Sequence, residues 1–303
     1  MQELLERLLE KNRPLTQKGK LAKYIPELAR QDPSTLAVSV VTVDGETVTA
    51  GECPQKFTIQ SISKVITLIL ALMDHDEEDV FDKVGMEPAG DPYNSIYKLE
   101  MMTPAKPLNP MINAGALVVS SMIVGGSVSE RLERILDLVR RMADNPEIGI
   151  DSSTFRSELT TAYRNRSLAY FLKEYDVIGD VEETLELYVK HCAIALNCLD
   201  LARVGLCLAQ YGKNIRGEQV IPRDLARLVK TFMVTCGMYN ASGEFAIRVG
   251  IPAKSGVSGG ILASVPETMG IGVYGPALDD KGNSIAGIRL LEDLAKEKNL
   301  SIF

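Results

Sequence analysis

The sequence predicts an α/β protein of the α+β type, with one antiparallel sheet built from both ends of the chain. Strand-like alternation occurs early, in residues 36–43 and 46–50, and returns late, in residues 244–249, 260–265 and 268–274. Between them, about 160 residues carry mostly helical periodicity and loops. We therefore expect a five-stranded antiparallel sheet flanked by helices, an inserted all-helical domain, and an active site between the two.

The N-terminal elements are two amphipathic helices followed by a hairpin. The helices are expected over residues 2–12 and 18–30. The hairpin turns at Asp44-Gly45, because Asp-Gly supplies the positive φ angles of a tight turn. The run from Val65 to Met73 is apolar enough to form a buried helix.

The middle of the chain is predicted to be helical. One helix follows Ser129, another covers residues 181–197, and the segment 91–110 is expected to be a long ordered loop that leads into a helix at Met111. A last amphipathic helix is expected over residues 285–298. The predicted domains are therefore a discontinuous sheet domain, residues 1–70 and 235–303, and a helical domain, residues 71–234.

Composition favours an enzyme that acts on a small molecule. The 303 residues carry a formal charge of −7 and no Lys/Arg-rich run, which argues against a nucleic-acid partner. The charged N-terminus does not resemble a secretion signal, and no segment reaches transmembrane length, so no membrane partner is expected. The five cysteines form no Cys-x-x-Cys pair, which suggests neither disulfides nor zinc. We expect a cytoplasmic protein.

Only two histidines are present, and this number limits the possible mechanisms. His75 lies in an acidic run that is typical of a solvated face. His191 is either a base or, given its apolar neighbours, a hydrogen-bonded core residue. A histidine-based triad and a histidine-rich metal site are therefore not expected, and no cofactor is predicted.

Ser61-Ile62-Ser63-Lys64 carries the strongest chemical signal. It places a hydroxyl and an amine one turn apart at the start of the apolar helix. A lysine that is desolvated by apolar neighbours can lose its charge and accept a proton from the serine. The alternative is structural, with Ser61 as a helix cap and Lys64 extending to water.

A second signal precedes the predicted strand at residue 260. Ala253-Lys254-Ser255-Gly256-Val257 is expected to form a turn that directs a hydroxyl, a cation and backbone N–H groups at one point, as an oxyanion hole requires. A plain turn is the alternative. Together with Ser61-x-x-Lys64, it matches the Ser-x-x-Lys plus Lys-Thr-Gly arrangement of penicillin-recognising enzymes, although no Ser-Asp-Asn triplet is present.

Several longer strings extend this match over nearly the whole chain. They are Tyr24-Ile25-Pro26-Glu27-Leu28-Ala29, Phe57 to Lys64, Asn109 to Ala116, Arg164-Asn165-Arg166, Gly243-Glu244-Phe245-Ala246 and Ala253 to Val257. In this order they resemble the serine-dependent glutaminase family, in a bacterial-type form without appended domains. The resemblance implies a β-lactamase-like fold, hydrolysis of L-glutamine to L-glutamate and ammonia, and a homodimer or homotetramer.

The resemblance also implies the roles of the site residues. Ser61 corresponds to the nucleophile and Lys64 to its helper, with Tyr188 and Tyr239 as catalytic tyrosines. Which of Lys64, Tyr188 and Tyr239 is the general base stays open. The implied substrate-binding residues are Tyr24, Gln60, Ser61, Asn113, Glu158, Asn165, Tyr188, Tyr239 and Val257.

These residue types suit an amino-acid substrate. Glu158 is the anion for the substrate ammonium, and Asn113 and Asn165 offer amide donors to its carboxylate. The Val257 backbone N–H would face the amide oxygen. Two other functions remain as alternatives: an acyl-serine hydrolase of the β-lactamase or peptidase type, and a non-catalytic protein that binds an amino acid.

Overall fold

The computed structural model describes residues 1–90, 92–101 and 105–303. The α-helices in this part of the chain are α1 (Gln2–Asn12), α2 (Ser63–Asp74), α3 (Glu77–Lys83), α4 (Tyr97–Met101), α5 (Asn113–Met122), α6 (Val128–Ala143), α7 (Ser152–Thr161), α8 (Tyr163–Glu174), α9 (Val181–Cys192), α10 (Cys198–Ala209), α11 (Arg223–Cys236), α12 (Ser242–Arg248) and α13 (Ile285–Lys298). The strands are β1 (Ala37–Thr42), β2 (Thr47–Gly51), β3 (Phe57–Thr58), β4 (Gly149–Ile150), β5 (Ile194–Leu196), β6 (Ala253–Ser255), β7 (Gly260–Val265) and β8 (Met269–Tyr274).

The main sheet joins the two ends of the chain. Its five strands run in the order β2-β1-β8-β7-β6, and every neighbouring pair is antiparallel. The register places Val40 of β1 between Val48 of β2 and Ile271 of β8. The predicted five-stranded antiparallel sheet, with its early hairpin, is therefore confirmed.

Each face of this sheet is covered by helices. On one face, Val38 and Val40 belong to a core with Leu8 of α1 and Leu290 of α13. On the other face, Val41 packs with Ala202 and Leu206 of α10. Since side chains alternate along a strand, β1 contributes to both cores at once.

Helix α2 lies at the centre of the helical part. All of its residues from Ser63 to Leu72 are buried, as expected for a helix that is apolar on every side. Its side chains share one core with those of α5, α6, α9 and α11. This arrangement fixes the N-terminal end of α2, where Ser61 and Lys64 lie.

Two predicted elements are wrong. The segment 244–249 is not a strand but lies mostly in α12, and the third late strand is β6. Phe245 and Val249 are both buried and four residues apart, a spacing that fits a helix as well as a strand, whereas Ile247 between them is 89% exposed. The helix expected over 18–30 is also absent: the chain forms one 3-10 turn that ends at Lys18 and another at Leu28–Arg30.

Other boundaries differ by less. The helix predicted over 181–197 ends at Cys192, where β5 follows after one residue and pairs with β3 and β4 in a second, three-stranded sheet. The predicted loop 91–110 contains the short helix α4, while Asp91 and residues 102–104 lie outside the described residues. The helix expected at Met111 begins at Asn113.

The predicted domain boundaries at residues 70 and 234 stay a prediction. Among the described residues, no helix is both long and apolar enough to span a membrane.

Candidate active site

Ser61 and Lys64 lie at the N-terminal end of the buried helix. Ser61 is in a 3-10 turn, Gln60–Ile62, that leads directly into α2, and Lys64 is in the first turn of α2. Gln60 has φ +49°, which is uncommon for a residue with a side chain. Strained backbone of this kind persists only where the surrounding structure holds it, and it concentrates at functional sites.

A cavity of about 90 Å³ opens beside Ser61. Eight of the ten predicted site residues line it: Tyr24, Gln60, Ser61, Asn113, Glu158, Asn165, Tyr188 and Val257. The other two are buried against lining residues: Lys64 contacts Asn113, and Tyr239 packs on Tyr93. The structure therefore brings together residues that lie far apart in the sequence.

Lys64 is fully buried with two hydrogen-bond acceptors. Its Nζ donates to Asn113 Oδ1 at 2.6 Å and to the Met111 carbonyl at 3.3 Å. Burial lowers the pKa of Lys64 from its usual 10.5 to about 8, against the opposing effect of the nearby Cys192 and Glu158. The amine is therefore available as a base at mildly alkaline pH.

Asn113 and Asn165 form a chain with Lys64. Since Asn113 Oδ1 accepts from Lys64, its Nδ2 is the donor to Asn165 Oδ1, at 2.9 Å. The amide orientations follow from this network. The NH2 group of Asn165 and one N–H of Asn113 are left to donate to an anion in the cavity.

Glu158 is the buried carboxylate of the cavity. Gln60 Nε2 donates to Glu158 Oε2 at 3.2 Å. Burial raises the pKa of Glu158 to about 7, and the Gln60 hydrogen bond and Lys64 oppose this rise. A cation bound next to Glu158 would favour its ionised form.

Tyr188 lies on α9, and Tyr239 begins a 3-10 turn, Tyr239–Ala241. The Lys64 Nζ is 5.9 Å from the centre of the Tyr188 ring. Tyr239 has φ +55°, and its hydroxyl is buried beside Ser61 without a hydrogen-bond partner among the described residues. Burial raises the pKa of both phenols well above 10, so both are proton donors.

The segment Ala253–Val257 forms β6 and the turn after it. Lys254 is fully buried, donates to the Ser255 carbonyl at 2.7 Å, and lies 4.5 Å from the centre of the Tyr239 ring. Burial and then the charge of Lys64 hold its pKa well below 10.5. Gly256 packs so closely on the Ile59 carbonyl that a Cβ there would clash, and this contact sets Val257 beside Ser61.

Several residues of the cavity were not predicted from the sequence. Tyr93 lines it, its hydroxyl lies 3.2 Å from that of Tyr24, and its ring packs on Tyr239 at 4.6 Å. Arg164 also lines the cavity, and its Nε donates to the Asn94 carbonyl at 2.9 Å. Tyr93 lies in a segment predicted only as a loop, so the sequence offered no signal for it, whereas Arg164 lies in one of the quoted strings.

Within the described ranges, no three His, Cys, Asp or Glu side chains are grouped in a way that could hold a metal ion. The side chains in and around the cavity offer a serine hydroxyl, a buried amine, and both donors and acceptors of hydrogen bonds.

Comparison with known proteins gives a consistent result. Residues 19–303 match the family model described as Glutaminase. A glutaminase of Geobacillus kaustophilus is 60% identical, with 100% of this chain and 98% of that protein covered. The crystal structure of a probable glutaminase of Bacillus subtilis is 46% identical with a TM-score of 0.93, covering 99% of this chain and 96% of that one. A second structure is 44% identical with a TM-score of 0.89, covering 99% of this chain and 98% of that one. It is the covalent complex of Bacillus subtilis glutaminase with 5-oxo-L-norleucine, formed by reaction of that protein with 6-diazo-5-oxo-L-norleucine.

Proposed function

The chain belongs to the glutaminase family, and we propose that it hydrolyses L-glutamine to L-glutamate and ammonia through a seryl acyl-enzyme on Ser61. The buried Lys64 beside Ser61, with its lowered pKa, carries this proposal. The covalent complex of the Bacillus subtilis relative supports a nucleophile in the active site.

Lys64 is the proposed general base. A neutral amine has two N–H bonds and one lone pair. The Met111 carbonyl and Asn113 Oδ1 occupy the two N–H bonds, so the lone pair is free for the Ser61 proton. Tyr188 and Tyr239 are poor bases because burial keeps both phenols protonated.

The reaction has two balanced steps. Ser61 Oγ attacks the side-chain carbonyl carbon of glutamine, and its proton passes to Lys64. The C–N bond then breaks, and the leaving nitrogen takes a proton from the Tyr239 hydroxyl and departs as ammonia. Lys64 returns its proton to Tyr239, which therefore acts as a relay. Water then attacks the ester, Lys64 takes the water proton and returns it to Ser61 Oγ, and glutamate is released.

The backbone N–H groups of Ser61 and Val257 are proposed as the oxyanion hole. Among the described residues, the Val257 N–H donates to no other group. It projects from the turn after β6, and the close packing of Gly256 on Ile59 keeps it near Ser61. Such preorganised donors stabilise the charge that develops in the transition state.

Recognition of the substrate head group is divided between charges and amides. Glu158 is proposed to bind the ammonium, while Asn165 and Asn113 donate to the carboxylate. Tyr24 and Tyr188 line the remaining wall, and Gln60 fixes the Glu158 carboxylate.

We also propose a β-lactamase-like architecture and a homo-oligomeric assembly. Ser61-x-x-Lys64 at the start of α2 and Lys254-Ser255 on β6 support a β-lactamase-like fold with an inserted helical domain. The proposal of a homodimer or homotetramer rests on the family resemblance, and that of a cytoplasmic location rests on the cysteine pattern, which suggests no disulfides. Light scattering at micromolar concentration tests the assembly, and a monomer would refute it.

The decisive experiment combines turnover with covalent labelling. S61A should lower ammonia release from glutamine by at least about 1,000-fold with an unchanged circular dichroism spectrum. Incubation with 6-diazo-5-oxo-L-norleucine should add a covalent group to the Ser61 peptide of the unsubstituted protein, and none to S61A. Near-normal turnover by S61A would refute the proposal.

The same samples separate the alternatives. A chromogenic β-lactam tests for a β-lactamase or peptidase, and calorimetry with glutamine tests for binding alone. Glutamine binding without ammonia release would favour an amino-acid-binding protein, and β-lactam opening without ammonia release would favour the acyl-serine hydrolase.

A further inference from the structure

His191 connects three helices that carry the proposed catalytic groups. It lies on α9, three residues after Tyr188, and is fully buried. Its Nδ1 lies 2.7 Å from Ser63 Oγ on α2, and its Nε2 lies 3.0 Å from Ser120 Oγ on α5. The three helices also provide Lys64, Asn113 and Tyr188.

Its hydrogen bonds lead directly to the turn that presents Ser61. Ser63 Oγ donates to the Gln60 carbonyl at 2.7 Å. Gln60 is the residue with φ +49° that directly precedes Ser61. A side-chain anchor on its carbonyl restricts the peptide between Gln60 and Ser61, and hence the direction of the Ser61 hydroxyl.

Each of the two serine hydroxyls has a second acceptor besides the imidazole: the Gln60 carbonyl lies 2.7 Å from Ser63 Oγ, and the Ala116 carbonyl lies 2.7 Å from Ser120 Oγ. A neutral imidazole donates from one nitrogen only, so only one of the two serines can keep its proton on its backbone carbonyl while it bonds to His191. An anchor on the Gln60 carbonyl requires that Ser63 is that serine, with His191 Nδ1 as the donor to Ser63 and Nε2 as the acceptor from Ser120. Burial lowers the pKa of His191 to about 3, with a smaller effect from Lys64, so the ring is neutral in the working range.

We propose that His191, donating from Nδ1 and accepting at Nε2, is a positioning residue that holds the Gln60–Ser61 turn through Ser63. The Tyr188 and His191 rings are in an edge-to-face arrangement, with ring centres 5.2 Å apart. His191 contacts no reacting atom; it acts through the orientation of the nucleophile. This inference rests on the proposed role of Ser61.

Matched substitutions separate the two ends of the imidazole. In H191N the side-chain amide lies at the position of Nδ1 and can keep the hydrogen bond to Ser63. In H191Q the longer side chain places the amide at the position of Nε2, where it reaches only Ser120. H191Q, H191L and S63A should lower kcat for glutamine by about 10- to 100-fold with little change in KM, because misorientation of a reacting group by about 1 Å has this effect. H191N and S120A should stay within about threefold of the unsubstituted kcat.

Coupling between the residues gives a second measurement. Since His191 acts through Ser63, the double variant S63A/H191Q should lose no more kcat than S63A alone. Independent, multiplying losses would overturn the proposal. If H191L fails to fold, the comparison of H191N with H191Q and S63A decides the question without it.

The tautomer provides a readout that does not depend on activity. The chain has only two histidines, so labelling with 15N-histidine gives two pairs of Nδ1 and Nε2 signals, and H191N assigns them. The NMR spectrum should show an Nδ1–H tautomer for His191; an Nε2–H tautomer would overturn the proposal. If S61A is inactive while H191Q and S63A keep their kcat within about threefold, the positioning role fails and the proposed function stands.

Discussion

Two buried ionisable side chains, Lys64 and Glu158, should set the pH dependence of activity. Lys64 must be neutral to accept a proton, and its pKa is lowered to about 8. Glu158 must be ionised to bind an ammonium, and its pKa is raised to about 7. Both requirements are better met as the pH rises, so log kcat/KM should climb with a slope near 2 below pH 7, near 1 between 7 and 8, and then level off.

Initial rates of ammonia release between about pH 5.5 and 9 test this profile. A flat profile would rule out both groups as determinants of activity. E158Q is the control, because it removes the titration near pH 7 and keeps an acceptor for Gln60. The lower part of its profile should therefore have a slope near 1.

The E158Q variant also tests how Glu158 affects the stability of the folded protein. The folded protein holds Glu158 in its neutral form up to about pH 7, whereas the unfolded chain releases that proton near 4.5. The contribution of the neutral carboxyl is therefore present at low pH and is lost as the pH rises from about 4.5 to 7. E158Q should melt several degrees higher than the unsubstituted protein at pH 8, and this difference should shrink toward pH 5.

Individual residues differed in how far the sequence could identify them. The spacing of Ser61 and Lys64 on an apolar helix carries its own chemistry, so it pointed to a nucleophile and a base. Glu158, Asn165 and Val257 come from separate elements, and only the family resemblance linked them. Tyr93 was missed because its place in the cavity depends on tertiary packing against Tyr24 and Tyr239.

At the scale of elements, close backbone packing joins α10 to the main sheet. Gly205 of α10 faces Gly270 of β8, and a Cβ on Gly205 would clash with the Ala263 carbonyl of β7. G205A should therefore destabilise the protein by about 2 kcal/mol or more, although alanine is the better helix former. Urea unfolding measures the change.

A second helical glycine provides the matched control. Gly243 lies in α12, and a Cβ there would meet nothing within 4 Å. G243A should be neutral or should stabilise the protein by up to about 1 kcal/mol. Equal effects of the two substitutions would show that helix propensity, rather than packing against the sheet, governs Gly205.

The predicted helices and strands were confirmed where one periodicity dominated. Strands β1, β7 and β8 and helices α1, α6 and α13 have long patterns of one kind, and each formed near its expected bounds. The prediction of short segments failed because both periods fit them, as at Phe245 of α12 and Val249 directly after it. Strands β3 and β4 have only two residues each, too few for an alternating pattern to be visible.

At the scale of the molecule, the sheet and the helices share a hydrophobic core. Ala37, Leu262 and Tyr274 of the main sheet belong to the same buried cluster as the side chains of α2, α5 and α9. Helix α10, from the middle of the sequence, covers one face of that sheet. Loss of the helical part would therefore expose the sheet core to water, which couples the unfolding of the two parts.

This coupling can be tested with the native cysteines. All five are buried and free; Cys53 lies next to the main sheet, and Cys192 ends α9 in the helical part. Both belong to the shared core, so thiol labelling in increasing urea should reach them at the same midpoint, as in a cooperative transition. Mass spectrometry identifies the labelled peptides, and protein concentration must be constant because assembly also shifts the midpoint. If Cys192 were labelled at lower urea than Cys53, the helical part would unfold independently, and the shared core would not couple the two parts.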